Sequence, residues 1–268
     1  MIGKWGHVIW KWDQAKEAFL DPKSWMWGFM MFSISVVSGG ISTFGPLIVK
    51  AFGFTSFQTI LFNIPFGAVQ LVATMGGAWL ATVIRKKSPV LILLCLPPIA
   101  GAVALLYLPR GAAHRGALLG AYYLISVYPG ITPLIYSWSA GNTAGETKKK
   151  VTTGFLFVFQ SAGNVLGPNL YTTGDAPLYH RGLLSNLALF VVLIALFVAQ
   201  AAYLVLLNKK HASRRVALGK NANIVDRSML KVKAELVEGE VIEEARKTEQ
   251  HALDDMTDGQ NEDFIYVY

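Results

Sequence analysis

Residues Pro89 to Leu108 read PVLILLCLPPIAGAVALLYL, a run with no charge and no side chain more polar than Cys95 and Tyr107. As an α-helix rising 1.5 Å per residue it is about 30 Å long, the thickness of a bilayer's hydrocarbon core. Basic residues bound it, Arg85, Lys86 and Lys87 before it and Arg110 after it. A soluble core needs only a narrow apolar stripe or an alternation, so an unbroken run of this length points to lipid as the solvent. Five further segments reach that length: Trp25 to Val49, Gln58 to Ile84, Gly116 to Trp138, Thr152 to Thr173 and Leu183 to Leu207. The expected fold class is an all-α integral membrane protein with six transmembrane helices. The whole chain agrees, being 53% hydrophobic and 15% charged, with a mean hydropathy of +0.41.

The net charge of +7 does not indicate a nucleic-acid partner, because the charges lie between or at the ends of the apolar runs rather than in one patch. Alternate connections are basic: Arg85 to Lys87, Lys148 to Lys150, and Lys209, Lys210, Arg214 and Arg215 after the last run. The positive-inside rule makes these cytoplasmic, with both termini on that side. Three regions follow: residues 1–23 as a cytoplasmic interfacial segment, where Trp5, Trp10, Trp12, Phe19 and Leu20 are interspersed with lysines; residues 24–208 as the six-helix membrane domain; and residues 209–268 as a cytoplasmic tail. The first twenty residues have no separate apolar core, so no signal peptide is expected. The tail is basic and then acidic, net +7 from Lys209 to Lys233 and net −9 from Ala234 to Tyr268. Its first part is expected on anionic headgroups and its second part in solvent.

No Asp, Glu, Lys, Arg or His falls inside the six runs. A proton-coupled carrier generally uses a buried titratable group, so coupling residues lie in another polypeptide or transport is not proton-driven. The uncharged polar residues are in register on two of the helices. Asn63, Gly67, Gln70 and Thr74 share one face of the second, and Gln160, Asn164, Gly167 and Tyr171 repeat the same offsets on the fifth. An amide with a glycine a turn away supplies hydrogen-bonding groups and room beside them. Asn63, Gln70, Gln160 and Asn164 are therefore the candidate substrate-binding residues; the alternative is that these amides bond neighbouring helices. Gly116 with Gly120 and Gly163 with Gly167 permit close helix contact. The third and sixth runs are the most apolar and are expected to face lipid. Prolines interrupt corresponding runs, Pro46 against Pro129 and Pro133, and Pro65 against Pro168, as a three-plus-three inverted repeat would leave them. One cysteine, and histidines scattered at positions 7, 114, 180, 211 and 251, make no metal or catalytic constellation; no cofactor, metal or enzymatic activity is expected.

Several stretches carry a family resemblance. They are Asp21-Pro22-Lys23-Ser24-Trp25; Phe52-Gly53-Phe54 leading to Gln58, Asn63, Pro65, Gly67, Ala68 and Gln70; and Asn142 to Lys150. Gly163-Asn164 with Gly167-Pro168, Asp175-Ala176-Pro177 with Tyr179, and the ending Asn261 to Tyr268 complete them. Together they resemble the C-terminal half of fungal allantoate permease-like carriers, in the anion:cation symporter branch of the major facilitator superfamily. The resemblance implies half of a major facilitator fold, alternating access, a small organic anion as substrate (allantoate, ureidosuccinate or a vitamin-like carboxylate), and the plasma membrane. It also implies that Met1 falls in what would be the central cytoplasmic loop, so that the chain is truncated or split and its partner is an N-terminal six-helix half or a full-length carrier. Ala81-Thr82 stands where the family often has an acidic-basic pair. The competing expectation is a non-transporting membrane partner that regulates a full-length carrier.

Overall fold

The computed structural model describes residues 10–109, 111–221 and 255–268, with the backbone alone at Ala112 and Thr173. The segment before Trp10, and the acidic part of the tail up to Asp254, lie outside the described residues. Among the described residues the secondary structure is entirely helical.

Helix α1, Trp12–Leu20, lies outside the apolar runs and packs Gln14, Ala15 and Ala18 inward. Asp21 ends it and starts α2, Pro22–Lys50, by accepting from the Lys23 N–H at 3.1 Å. Pro22, in the first turn of α2, has its φ preset and no N–H to leave unpaired. A Thr55–Gln58 capping box opens α3, Ser56–Leu61, and the chain breaks at Phe62 before α4, Asn63–Ile84. Pro65 explains the break, since it cannot donate to the carbonyl of Leu61. Arg85, in the left-handed region at φ 58°, reverses the chain into α5, Ser88–Tyr107.

The fourth run is interrupted as its prolines require: α6, Arg115–Ile125, and α7, Ile131–Gly141, are separated by a tight turn at Tyr128–Gly130. The first run is not. Pro46 lies near the C-terminal end of α2, where a lost hydrogen bond is cheap, and the helix continues to Lys50. The proline match between these two runs therefore has no counterpart in matching breaks. Helix α8, Glu146–Asn169, follows, then α9, His180–Ala217. At 38 residues α9 is about 57 Å long and carries the basic residues Lys209 to Arg215 beyond the expected end of the span. Nothing between Leu207 and Gly219 breaks a helix, and Gly219, at φ 73°, ends it.

Five helical segments are long and apolar enough to cross a membrane: Pro22–Lys50, Ser56–Ile84, Ser88–Tyr107, Arg115–Gly141 and His180–Ala217. The sixth expected span is α8, whose charged first turn and internal amides lower its hydropathy. It sits against α2 along much of its length, where small residues matter more than lipid-facing apolarity. A Cβ on Gly163 would stand 2.6 Å from the Phe32 carbonyl oxygen, and one on Gly39 would stand 2.7 Å from that of Asn164. A Cβ on Gly167 would stand 2.7 Å from the Gly40 backbone nitrogen. The glycine pair of the fifth run thus serves the packing expected of it. Gly116 and Gly120 do not, since a Cβ at either meets nothing within 4 Å. Across the bundle Trp27 of α2 meets Trp138 of α7 edge to face at 4.7 Å, and Phe197 of α9 lies beyond.

Candidate functional site

The four predicted amides fall on α4 and α8 near the surface. Asn63 is exposed at the start of α4 and its Nδ2 donates back to Thr59 at 3.5 Å; Gln70 is half-buried a little further along. Beside them Gly67 is open: a Cβ added there would meet nothing within 4 Å. Gln160 is half-buried and accepts from the Tyr136 hydroxyl at 2.6 Å, while Asn164 is exposed. Around them α4 presents Ile64, Leu71, Met75 and Trp79, and α8 presents Phe157 and Val165, all more than half exposed.

The most elaborate polar site lies elsewhere, at the end of the bundle that carries the N-terminus of α8. Lys23 of α2 and Lys148 of α8 are each only 1% exposed. Lys148 Nζ is 2.8 Å from Glu17, 2.9 Å from Asp21 and 3.0 Å from Asp258. Lys23 Nζ is 3.0 Å from Asp21 and also pairs with Asp258. Asp258 comes from the acidic tail. The expectation of a solvated tail therefore fails for Asp255–Tyr268: Thr257 and Asp258 are fully buried and Tyr266 is 2% exposed. Lys148, read from sequence as a loop charge, is likewise inside the fold. The same cluster borders a cavity of about 240 Å³ whose rim includes Lys210, His211 and Arg214 of α9.

The tail is held without secondary structure of its own. Asn208 accepts from the Tyr266 N–H at 2.8 Å and donates to the Tyr266 carbonyl at 2.8 Å. Asn142 does the same for Val267, at 2.7 and 2.9 Å. Each amide thus replaces a strand partner for one tail residue, satisfying a donor and an acceptor together. Trp138 Nε1 adds a bond to the Val267 carbonyl at 2.7 Å, and Tyr266 donates its hydroxyl to Asp258 at 2.9 Å.

In return the tail caps α8. Gly145, at φ 87°, stands at its N-cap and has no side chain to offer. The free N–H groups of the first turn are met from outside: Glu146 N–H by Asp255 at 2.6 Å, and Thr147 and Lys148 N–H by Gln14 Oε1 at 3.0 and 3.3 Å. Ahead of them Ala144 N–H donates to Asp258 at 3.1 Å. Negative charge at this helix end is further favoured by the macrodipole.

Burial opposes charge on Asp258, but Lys23 and Lys148 outweigh it and hold the carboxyl below the usual aspartate range. Lys148 is the converse: burial alone would lower it, and Asp258, Asp21 and Glu17 raise it above an ordinary lysine. Burial and the neighbouring Asp258 push the Tyr266 hydroxyl up, so it stays a donor. Among the described residues no group of three or more His, Cys, Asp or Glu is arranged to hold a metal ion.

The members of this cluster were not singled out individually from sequence. Three stretches quoted for the family resemblance nevertheless meet here: Asp21 to Trp25, Asn142 to Lys150 and Asn261 to Tyr268.

No family model matches the chain, and no solved structure matches it either. Curated proteins do. The MFS-type transporter cnsL of Penicillium expansum is 32% identical over 203 residues, covering 75% of this chain and 42% of that protein. Allantoate permease of Saccharomyces cerevisiae is 26% identical over 260 residues, covering 95% of this chain and 44% of the permease. The high-affinity nicotinic acid transporter of the same yeast is 26% identical over 191 residues, 71% of this chain and 35% of the transporter. The chain spans less than half the length of these relatives. With its apolar helices and this kinship, it is a multi-pass membrane protein homologous to the C-terminal half of fungal major facilitator-type transporters.

Proposed function

We propose that the chain forms the C-terminal half of a secondary transporter for a small organic anion. The carrying observation is the similarity to transporters over most of this chain but under half of theirs. Two of these relatives are named for carboxylates, allantoate and nicotinic acid, so a small carboxylate is the proposed substrate class. Asn63, Gln70, Gln160 and Asn164 orient it as neutral hydrogen-bonding groups. The cation that neutralises it, and any proton-coupling group, belong to an N-terminal six-helix half laid over the exposed faces of α4 and α8. The basic connections and both termini face the cytoplasm, and the membrane is the plasma membrane. Residues 1–23, 24–208 and 209–268 are then the cytoplasmic interfacial segment, the six-helix half-domain and the cytoplasmic tail.

The test is complementation in yeast lacking its own carboxylate permeases. The chain is expressed alone, with the N-terminal half of allantoate permease, and with a full-length carrier. Uptake of labelled allantoate or nicotinate that needs both halves and falls in Gln160→Ala and Asn164→Ala supports the proposal. Lack of uptake of any carboxylate with either half-partner sinks it. Inhibition of the full-length carrier without transport by the half would instead establish a regulatory partner.

A further inference from the structure

The segment Asp255–Tyr268 joins four helices at one pole of the bundle: Lys23 in the first turn of α2, Trp138 and Asn142 at and just after the end of α7, Lys148 in the first turn of α8, and Asn208 and Arg215 in the last third of α9. If those helices are to separate at this pole, these bonds must break or the segment must travel with one helix and leave the others. The bonds are of a kind that can break. Its fastening combines hydrogen bonds and ion pairs, which water can replace, with Tyr266 buried beneath it and Phe264 and Tyr268 partly buried against the core.

Charge bookkeeping points the same way. With the segment in place, two lysines face three carboxylates, Glu17, Asp21 and Asp258. With it gone, Lys23 and Lys148 keep Asp21 and Glu17, two charges against two. Removing one partner of a buried pair is costly when it strands the other; here departure strands neither Lys23 nor Lys148, and the lysines that do lose their partners, Lys11 from Asp255 and Lys220 from Glu262 and Asp263, are exposed to water. The third carboxylate in the docked state is compensated by the Ala144 N–H and the Tyr266 hydroxyl.

We propose that Asp255–Tyr268 is a releasable strap. Docked, it locks α2, α7, α8 and α9 in one arrangement at this pole and covers the N-terminus of α8. Released, it allows this pole to open. The inference goes beyond the transport reading, and its test does not require transport.

The test measures the strap directly in the full chain reconstituted in lipid nanodiscs. Cys95, the only cysteine, is replaced by serine. Spin labels are placed at Ile265→Cys on the strap and Lys149→Cys on the exposed side of α8, and pulsed dipolar spectroscopy reads the separation. The parent gives one narrow, short distance. Asp258→Asn, and separately the double variant Asn142→Ala, Asn208→Ala, give a broad, longer distribution with helix content by circular dichroism unchanged. In a second preparation without the labels, Thr147→Cys, fully buried in the parent, reacts with a water-soluble maleimide about tenfold faster or more when Asp258→Asn is added. A distance unchanged in the amide double variant overturns the proposal. So does loss of helical fold in that variant, because the segment would then be part of the core rather than a strap.

Discussion

Asp258 shows how one residue acquires a role from its surroundings. Its carboxylate pairs with Lys23 of α2 and Lys148 of α8 and accepts from Tyr266 of its own segment, and the cavity it borders is also lined by Glu17, Asp21 and, from α9, Lys210, His211 and Arg214. Its folded-state pKa is depressed, so its contribution to docking is present above the ordinary value of 3.8 and is lost as pH falls through the depressed value. Asp255 is depressed as well, because the Glu146 N–H and Lys11 favour its charged form more than burial disfavours it. Lys148 is raised, so its contribution holds below the ordinary 10.5 and fades only above that. His211 bonds the Phe264 carbonyl through Nδ1 at 3.1 Å, a bond that survives protonation because an N–H donates in both forms. Burial, with Arg214 and Arg215 adding to it, nevertheless holds His211 below the ordinary 6.5, so protonating it disfavours the docked state. Docking of the strap is therefore predicted to be flat above pH 6.5, to weaken as pH falls below it, and to fail under strong acid as Asp258 protonates. A label distance that changes on the alkaline side of neutral would contradict this.

At the scale of elements, the closeness of α2 to α8 follows from glycine. Gly163→Leu drives a side chain into the Phe32 carbonyl and Ser35, and overpacking of this kind costs about 1–3 kcal/mol or more. Its thermal midpoint in detergent should fall by several degrees, on the order of 2–8 °C. Gly120→Ala is the control: its Cβ meets open space, and losing glycine from a helix interior should gain about 0.5–1 kcal/mol. Equal effects of the two changes would refute the crossing. The capping of α8 from a distance makes a second prediction. Gln14→Ala removes the acceptor for two first-turn amides and should cost about 1 kcal/mol, in the range of other lost caps. Hydrogen exchange at Thr147 and Lys148 would register it, and unchanged protection there would remove Gln14 from the cap. The breaks at Pro65 and Pro129 were legible in the sequence because a proline acts on its own turn. Gly163 with Gly167 was legible as a packing pair, but Gly116 with Gly120 shows that the spacing alone does not say which pair meets a neighbour. The cap was not legible, because Gly145 offers no side chain and the acceptors lie more than a hundred positions away along the chain.

On the scale of the whole molecule the unequal burial of the helices matters most. In α2 61% of the most apolar window is buried, and across α3 and α4 only 11%. The exposed side includes Gly67, whose surroundings are empty. Under the transport proposal that space belongs to the solute path. Gly67→Leu is then expected to leave helix content and yield unchanged while lowering carboxylate uptake about tenfold or more in the complemented carrier, the order expected when binding groups are blocked. Undiminished uptake would assign the face to lipid.

Six apolar runs, their approximate ends and the family kinship are determined by the sequence itself. Hydrophobic length and helix-breaking residues act through neighbours a few positions apart, and similarity is read position by position. The meeting of Asp21, Lys148 and Asp258 belongs to the tertiary structure alone. A carboxylate in an acidic tail and a lysine in a basic loop look equally solvated in a linear chain. Only when four helices converge does the desolvation of one require the presence of the other.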